Sequence, residues 1–382
     1  MMRITALVYF QEVIIKGKEN IPAGAPCILA CNHPNSFLDA LIITVHFKRP
    51  LFYLARGDAF KKPFGAKLLL FLNNIPMYRQ EEGAEHLTRN RESFDYCLEV
   101  LKKGDSILIF TEGICENEWY LRPFRKGTAR LAFEALKDNH LKDKPKVIPV
   151  AVNYSGWFGT GNKIYIEFLS PLKFSEMNVQ KGLYLQKFNS ELRNSLAQCC
   201  VSIDKNYDVK VQNTLAGFIL KNLSGGTVKA MKSLRNFWYQ EKAPYPDKYE
   251  KFVAFTGNGR VPYYCEKKVS LLIFFASLII IPPAVFLNII PYFICKYIAE
   301  KTTHRNVFYD SVFFGSLLII GTLYLLCLTC VTIIISHSLF GIAVPLIAFF
   351  CAAFYENAKK NIYCFLTPKR QSETGAMLAD IC

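Results

Sequence analysis

The chain has 382 residues, 51% of them hydrophobic, and its 46 Lys and Arg against 31 Asp and Glu give a formal net charge of +15. That length holds one sizeable core plus a further region, and the excess of cations points to anionic partners, lipid headgroups or nucleic acid. Thirteen cysteines, mostly scattered singly and with none at metal spacing with histidine, read as reduced thiols in a cytosolic compartment or in the bilayer.

Residues 4–10 are apolar but short, and Gln11 and Glu12 follow in place of a small-residue cleavage site, so no signal peptide is expected. Over residues 1–205 short apolar strands alternate with amphipathic helices. Strands are expected at 27–31, 51–55, 106–110, 147–152 and 164–168, each bounded by Gly, Pro, Asn or charge. The clearest helix covers 85–101, with Leu87, Phe94, Leu98 and Leu101 on one stripe and Lys102-Lys103-Gly104 closing it. This alternation predicts an α/β sandwich around a largely parallel sheet, in which ligands collect where strands end.

Residues 206–268 form a basic, aromatic linker. Its stretch 228–239 carries Lys229, Lys232 and Arg235 beside Leu234, Phe237, Trp238 and Tyr239, which fits either a helix at headgroup level or a helical cover over the first domain. The tail, 269–365, holds three apolar segments at 269–290, 311–335 and 339–355, near the length that crosses about 30 Å of hydrocarbon. This tail decides for a lipid bilayer and against nucleic acid. Three full spans would put Lys296, Lys301 and Arg305 outside together with Lys359, Lys360, Lys369 and Arg370, against the positive-inside bias. The preferred threading makes 269–290 a re-entrant or interfacial hairpin bent at Pro282-Pro283, followed by a spanning pair. The catalytic domain is then expected on the cytoplasmic side of the membrane.

The chemistry concentrates on two loops. His33 follows the strand 27–31 at the mouth of a helix containing Phe37, Leu38, Leu41 and Ile42, where a histidine can take the proton of an incoming hydroxyl. Asp39 can orient the other ring nitrogen. Equally, Ser36-Phe37-Leu38-Asp39 fits the capping pattern [ST]-x-x-[DE], in which Asp39 merely satisfies backbone donors at a helix start. Glu112-Gly113 falls just after the strand 106–110. Glu112 suits a polyol hydroxyl or neighbouring arginines, and Gly113 lets the backbone approach a ligand. Arg122, Arg125, Lys126 and Arg130 then place four cations within nine residues, beside a helix start near Thr128. Guanidinium forks and backbone donors of that kind hold phosphate, although a basic loop is also the ordinary content of a solvated surface.

Taken together these segments resemble the blocks of the glycerolipid acyltransferase superfamily, which includes glycerol-3-phosphate and lysophosphatidic acid acyltransferases. Asn32-His33 through Asp39 is similar to the first block and Ile75-Pro76-Met77-Tyr78-Arg79 to the second, in which the arginine helps bind the acceptor phosphate. Phe110-Thr111-Glu112-Gly113 is similar to the third, F-P-E-G, and 147–152 to the fourth. Two departures stand out: the first block is H-x5-D in place of H-x4-D, and Thr111 stands where proline is usual. The longer spacing is similar to that of a tailed glycerol-3-phosphate acyltransferase branch.

The resemblance implies an O-acyltransferase of phospholipid biosynthesis. Acyl-CoA or acyl-carrier protein is the donor, and glycerol-3-phosphate or a lysophospholipid is the acceptor. No metal or prosthetic group is implied. His33 is then the base and Asp39 its orienter, Glu112 and Gly113 are acceptor contacts, and Arg79, Arg122, Arg125 and Lys126 form a phosphate clamp. Two other readings share some of these features. One is an acyl-thioester hydrolase, using the same base with water or Cys115 as nucleophile, and the other is a non-catalytic lipid-binding membrane protein.

Overall fold

The computed structural model describes residues 1–78, 85–141, 144–173, 180–201, 213–214, 216–218, 220, 263, 265 and 268–381. Seven strands form one sheet in the order β1-β7-β6-β2-β5-β3-β4. They are β1 (Phe10–Lys16), β2 (Cys27–Cys31), β3 (Leu51–Arg56), β4 (Asn74–Met77), β5 (Ser106–Phe110), β6 (Lys146–Tyr154) and β7 (Asn162–Phe168). Every neighbouring pair is parallel except β6 and β7, which are joined by a short loop and run antiparallel. The sheet is therefore largely parallel, as the alternation predicts, with β1 and β7 reversed against the rest.

Both faces of the central strands are buried, which is why they read as unbroken apolar runs. Leu29 and Cys31 of β2 point to one face with Leu108, Ile148 and Val150, whereas Ile28 and Ala30 point to the other with Ile107, Val147 and Ala151. The second face is covered by α4 (Glu85–Lys102), α5 (Gly127–Lys137) and α6 (Lys181–Ala197) through Val100, Leu101, Leu131, Phe188 and Leu192. The first face is covered by α1 (Met2–Tyr9), α2 (Ser36–His46) and residues of the C-terminal helices. A further short helix, α3 (Pro63–Phe71), precedes β4.

The C-terminal region comprises α7 (Leu271–Thr303), α8 (Tyr309–Ser316), α9 (Thr322–Ser336), α10 (Ala343–Leu366) and α11 (Pro368–Ile381). A π turn, Leu317–Gly321, joins α8 to α9 without a break, so Tyr309–Ser336 runs as one rod. Among the described residues, three helical stretches are long and apolar enough to cross a membrane: Leu271–Thr303, Tyr309–Ser336 and Leu339–Leu366. The hairpin expected at Pro282-Pro283 is absent. Both prolines lie inside a continuous 33-residue helix. A proline removes one backbone donor but leaves the rest of the ladder, and an apolar surrounding offers no water to compete for it.

Helices α7 and α10 pack antiparallel, with Phe274 stacked on Phe365 at 4.2 Å and the Asn288 amide donating to the Ala348 carbonyl at 2.9 Å. Near the end of α7, Cys295 and Ala299 join the core of the sheet domain with Tyr309, Phe313 and Phe314. The later part of α10 meets the same domain, where the Gln11 amide donates to Asn357 at 3.4 Å. Both basic regions, around Lys301 and around Lys359, thus lie against the sheet domain. The apolar rods meet at a tight turn where the Thr332 hydroxyl donates to the Gly341 carbonyl at 2.7 Å, and Leu339 and Phe340 stand 76% and 88% exposed at its tip. The linker expected over 206–268 lies almost wholly outside the described residues.

Candidate active site

Register brings the two loops together. Cys31 pairs with Phe110 across β2 and β5, so the residues just beyond each strand are neighbours at the carboxyl edge of the sheet. The Thr111 N–H and hydroxyl both donate to the Cys31 carbonyl, at 2.8 and 3.2 Å, and lock the two strand ends. Asn32 extends β2 by mimicking a backbone: its side chain donates to the Val152 carbonyl at 2.9 Å and accepts the Val152 N–H at 2.8 Å.

His33 then turns out over Phe110, with the two rings stacked at 3.7 Å. Its Nδ1 lies 3.0 Å from Asp39 Oδ2; the histidine side chain is 17% exposed and the aspartate fully buried. With a carboxylate accepting at Nδ1, the neutral ring carries its proton there and presents Nε2 as an acceptor. Asp39 is held in turn by the Tyr154 hydroxyl, donating to Oδ1 at 2.7 Å, and by the Asn35 N–H, donating to Oδ2 at 2.8 Å. The last bond satisfies a backbone donor at the start of α2, so the capping and orienting roles coexist in one side chain.

The second loop places Glu112 inward and buried. Burial pushes its carboxyl up to about 8; Arg122 opposes and Asp39 reinforces the shift. Near neutrality this side chain is a neutral acid that can donate as well as accept. Gly113 has φ +67, and a Cβ there would stand 2.8 Å from Arg125 Cγ. The space that sequence reading left for a ligand is thus taken by Arg125, which also donates its backbone N–H to the Thr111 carbonyl at 2.8 Å. Arg125 is by this means tied to the Glu112 loop.

The expected clamp divides on inspection. Arg122 is engaged by Glu118, with Nε to Oε2 at 2.8 Å and the other nitrogen at 2.6 Å, and it contributes through its influence on Glu112. Arg125 and Lys126 are exposed at the start of α5 and form no ion pair among the described residues. Arg79 lies outside the described residues. Cys115 accepts the Ser36 N–H on its Sγ at 2.8 Å, and burial pushes its thiol up, which keeps it protonated and unsuited to nucleophilic attack.

Several residues that shape this site lay outside the expected set. Tyr154 lay two residues beyond the expected strand 147–152, and Phe110, named as the first residue of the third block, was given no contact with His33. Glu118 and Arg193, which donates to the Arg122 and Leu121 carbonyls, lay outside the recognised blocks.

Residues 12–153 match the family model described as Acyltransferase. A chloroplastic 1-acyl-sn-glycerol-3-phosphate acyltransferase of Brassica napus is 27% identical over 195 residues, covering 50% of this chain and 51% of that protein. A 1-acyl-sn-glycerol-3-phosphate acyltransferase of Borreliella burgdorferi is 27% identical over 159 residues, covering 42% of this chain and 58% of that one. The chain thus spans between half and three fifths of the length of these two relatives. The crystal structure of the 1-acyl-sn-glycerophosphate (LPA) acyltransferase from Thermotoga maritima aligns with a TM-score of 0.37 at 21% identity, over 50% of this chain and 71% of that one.

Proposed function

We propose, since residues 12–153 belong to the glycerolipid acyltransferase superfamily, that the chain is a membrane-bound O-acyltransferase that acylates the free hydroxyl of 1-acylglycerol-3-phosphate. The observation that carries this reading is the His33-Asp39 pair at 3.0 Å, held by a buried carboxylate whose other oxygen takes the Tyr154 hydroxyl. An acceptor hydroxyl placed against His33 Nε2 loses its proton as its oxygen attacks the thioester carbonyl. The new C–O ester bond forms, the C–S bond breaks, and the thiolate leaves with the proton that the imidazolium returns. Asp39 stabilises that imidazolium, and general-base assistance of this kind is worth about 10² to 10⁴ in rate.

Protonated Glu112 supplies a hydrogen-bond donor near the acceptor, while Arg125, Lys126 and the N-terminus of α5 offer cations and backbone N–H groups to its phosphate. Acyl-CoA or acyl-carrier protein serves as donor, and no cofactor enters the scheme. The relatives' names favour 1-acylglycerol-3-phosphate over glycerol-3-phosphate. The apolar rods hold the site at the bilayer surface, with the sheet domain and both basic regions on the cytoplasmic face. The neutral Cys115 thiol counts against the thioesterase reading in which it is the nucleophile.

The test uses detergent-purified full-length protein with radiolabelled acyl-CoA or acyl-carrier protein, and either 1-acylglycerol-3-phosphate or glycerol-3-phosphate. Label is expected in phosphatidic acid with the first acceptor. Release of free fatty acid at the same rate without any acceptor would sink the proposal in favour of hydrolysis.

A further inference from the structure

Asp310 stands at the head of a 28-residue apolar rod and is only 3% exposed. A carboxylate so placed is costly unless donors surround it. Four do, and all come from the sheet domain. Oδ1 accepts the Tyr9 hydroxyl at 2.7 Å and the Gly159 N–H at 2.8 Å. Oδ2 accepts the Asn35 side-chain amide and the Phe158 N–H, each at 3.1 Å. The next residue extends the attachment: Ser311 Oγ accepts the Leu38 N–H at 3.0 Å and donates to the Asn35 carbonyl at 3.4 Å.

These contacts fall on the catalytic turn itself. Asn35 and Leu38 lie between His33 and Asp39, and Asn35 gives its own N–H to the Asp39 oxygen that faces His33. Inside the same stretch Ser36 sits at φ 50, a backbone conformation that persists in a serine only where neighbours hold it. The other partners, Phe158 and Gly159, belong to the loop that leaves β6 just after Tyr154, the second residue bonded to Asp39. The turn thus leans on α8 from one side and on β6 from the other.

We propose that Asp310 is a positioning residue for the transfer reaction, acting through Asn35 to hold the turn between His33 and Asp39. Docking of the C-terminal helices is then a condition of catalysis and not only of membrane attachment. The inference rests on the acyltransferase reading above. It gives the longer H-x5-D spacing a physical partner, since the turn that the spacing creates is fastened by α8.

The experiment is the same transfer assay on full-length protein with Asp310→Asn, Ser311→Ala, Asp39→Asn and the double variant Asp310→Asn with Asp39→Asn. Misplacement of a reacting group by about 1 Å costs up to about 10²-fold. Asp310→Asn, which turns an amide donor toward existing donors, is expected to lower kcat about 10- to 100-fold with both KM values within about twofold. Ser311→Ala is expected to lower kcat about three- to tenfold with an unchanged melting transition, and it decides the matter if Asp310→Asn does not fold. In the Asp39→Asn background Asp310→Asn should cost less than about threefold more, because the group it positions is gone. Wild-type kcat in both single variants, or losses that multiply in the double variant, would overturn the proposal. A wild-type protein without transfer activity, or undiminished transfer by His33→Ala, would overturn the acyltransferase reading instead.

Discussion

Replacing Glu112 by glutamine should stabilise the protein, and by an amount that depends on pH. Glu112 is 7% exposed, and burial raises its carboxyl from the ordinary 4.5 to about 8. Between those two values the unfolded chain releases a proton that the folded chain keeps. Stability therefore falls as pH rises through this window and levels off above about 8. At about 1.36 kcal/mol per pH unit the full gap is at most about 5 kcal/mol. Glutamine fills the same space and does not titrate. In thermal unfolding followed by tryptophan fluorescence in detergent, wild type and Glu112→Gln should coincide near pH 4.5. They should diverge steadily toward pH 8, where the variant melts on the order of 5 °C higher. Parallel pH dependence of the two proteins would refute the claim that Glu112 is held as a neutral acid.

The same ionisation has a kinetic consequence: above about pH 8 a carboxylate appears beside the acceptor phosphate, so the acceptor KM should rise in wild type and stay flat in Glu112→Gln. Tyr154→Phe leaves one buried oxygen of Asp39 without its donor, which should cost about 1–3 kcal/mol of stability in a denaturant titration and lower kcat with little change in KM. Arg125→Ala should raise the acceptor KM about tenfold or more, whereas Arg122→Ala, whose guanidinium already faces Glu118, should raise it less; steady-state kinetics with varied acceptor separates them.

Much of this site was legible before any coordinates. The strands 27–31 and 106–110 carry uninterrupted apolar residues between breakers, and the structure ends both where the pattern does. The parallel alternation then brought His33 and Glu112 to one edge by register alone. Short strands were less visible: β4 has four residues and a proline, and β1 is partly exposed, so neither shows a strong period. Sequence spacing counts cations without their partners, so the pairing of Arg122 with Glu118, four residues before it in the same loop, was not visible. Gly113 was assigned to a ligand when a side chain, Arg125, was the close neighbour. The largest omission is the tail. Hydropathy marks 311–335 as a rod for lipid but says nothing of what its first turn touches, and Asp310 fell just outside that window. An acidic residue at the mouth of an apolar run was the available signal, because such a carboxylate needs buried donors.

The central claim is that His33, oriented by Asp39, removes the acceptor proton during acyl transfer. The direct measurement is the initial rate of label transfer from acyl-CoA to 1-acylglycerol-3-phosphate by wild type, His33→Ala and Asp39→Asn at equal concentrations of folded protein. A loss of about 10² to 10⁴ in kcat is expected for His33→Ala, and a large loss for Asp39→Asn, with melting transitions retained. Transfer by His33→Ala at the wild-type rate would contradict the account.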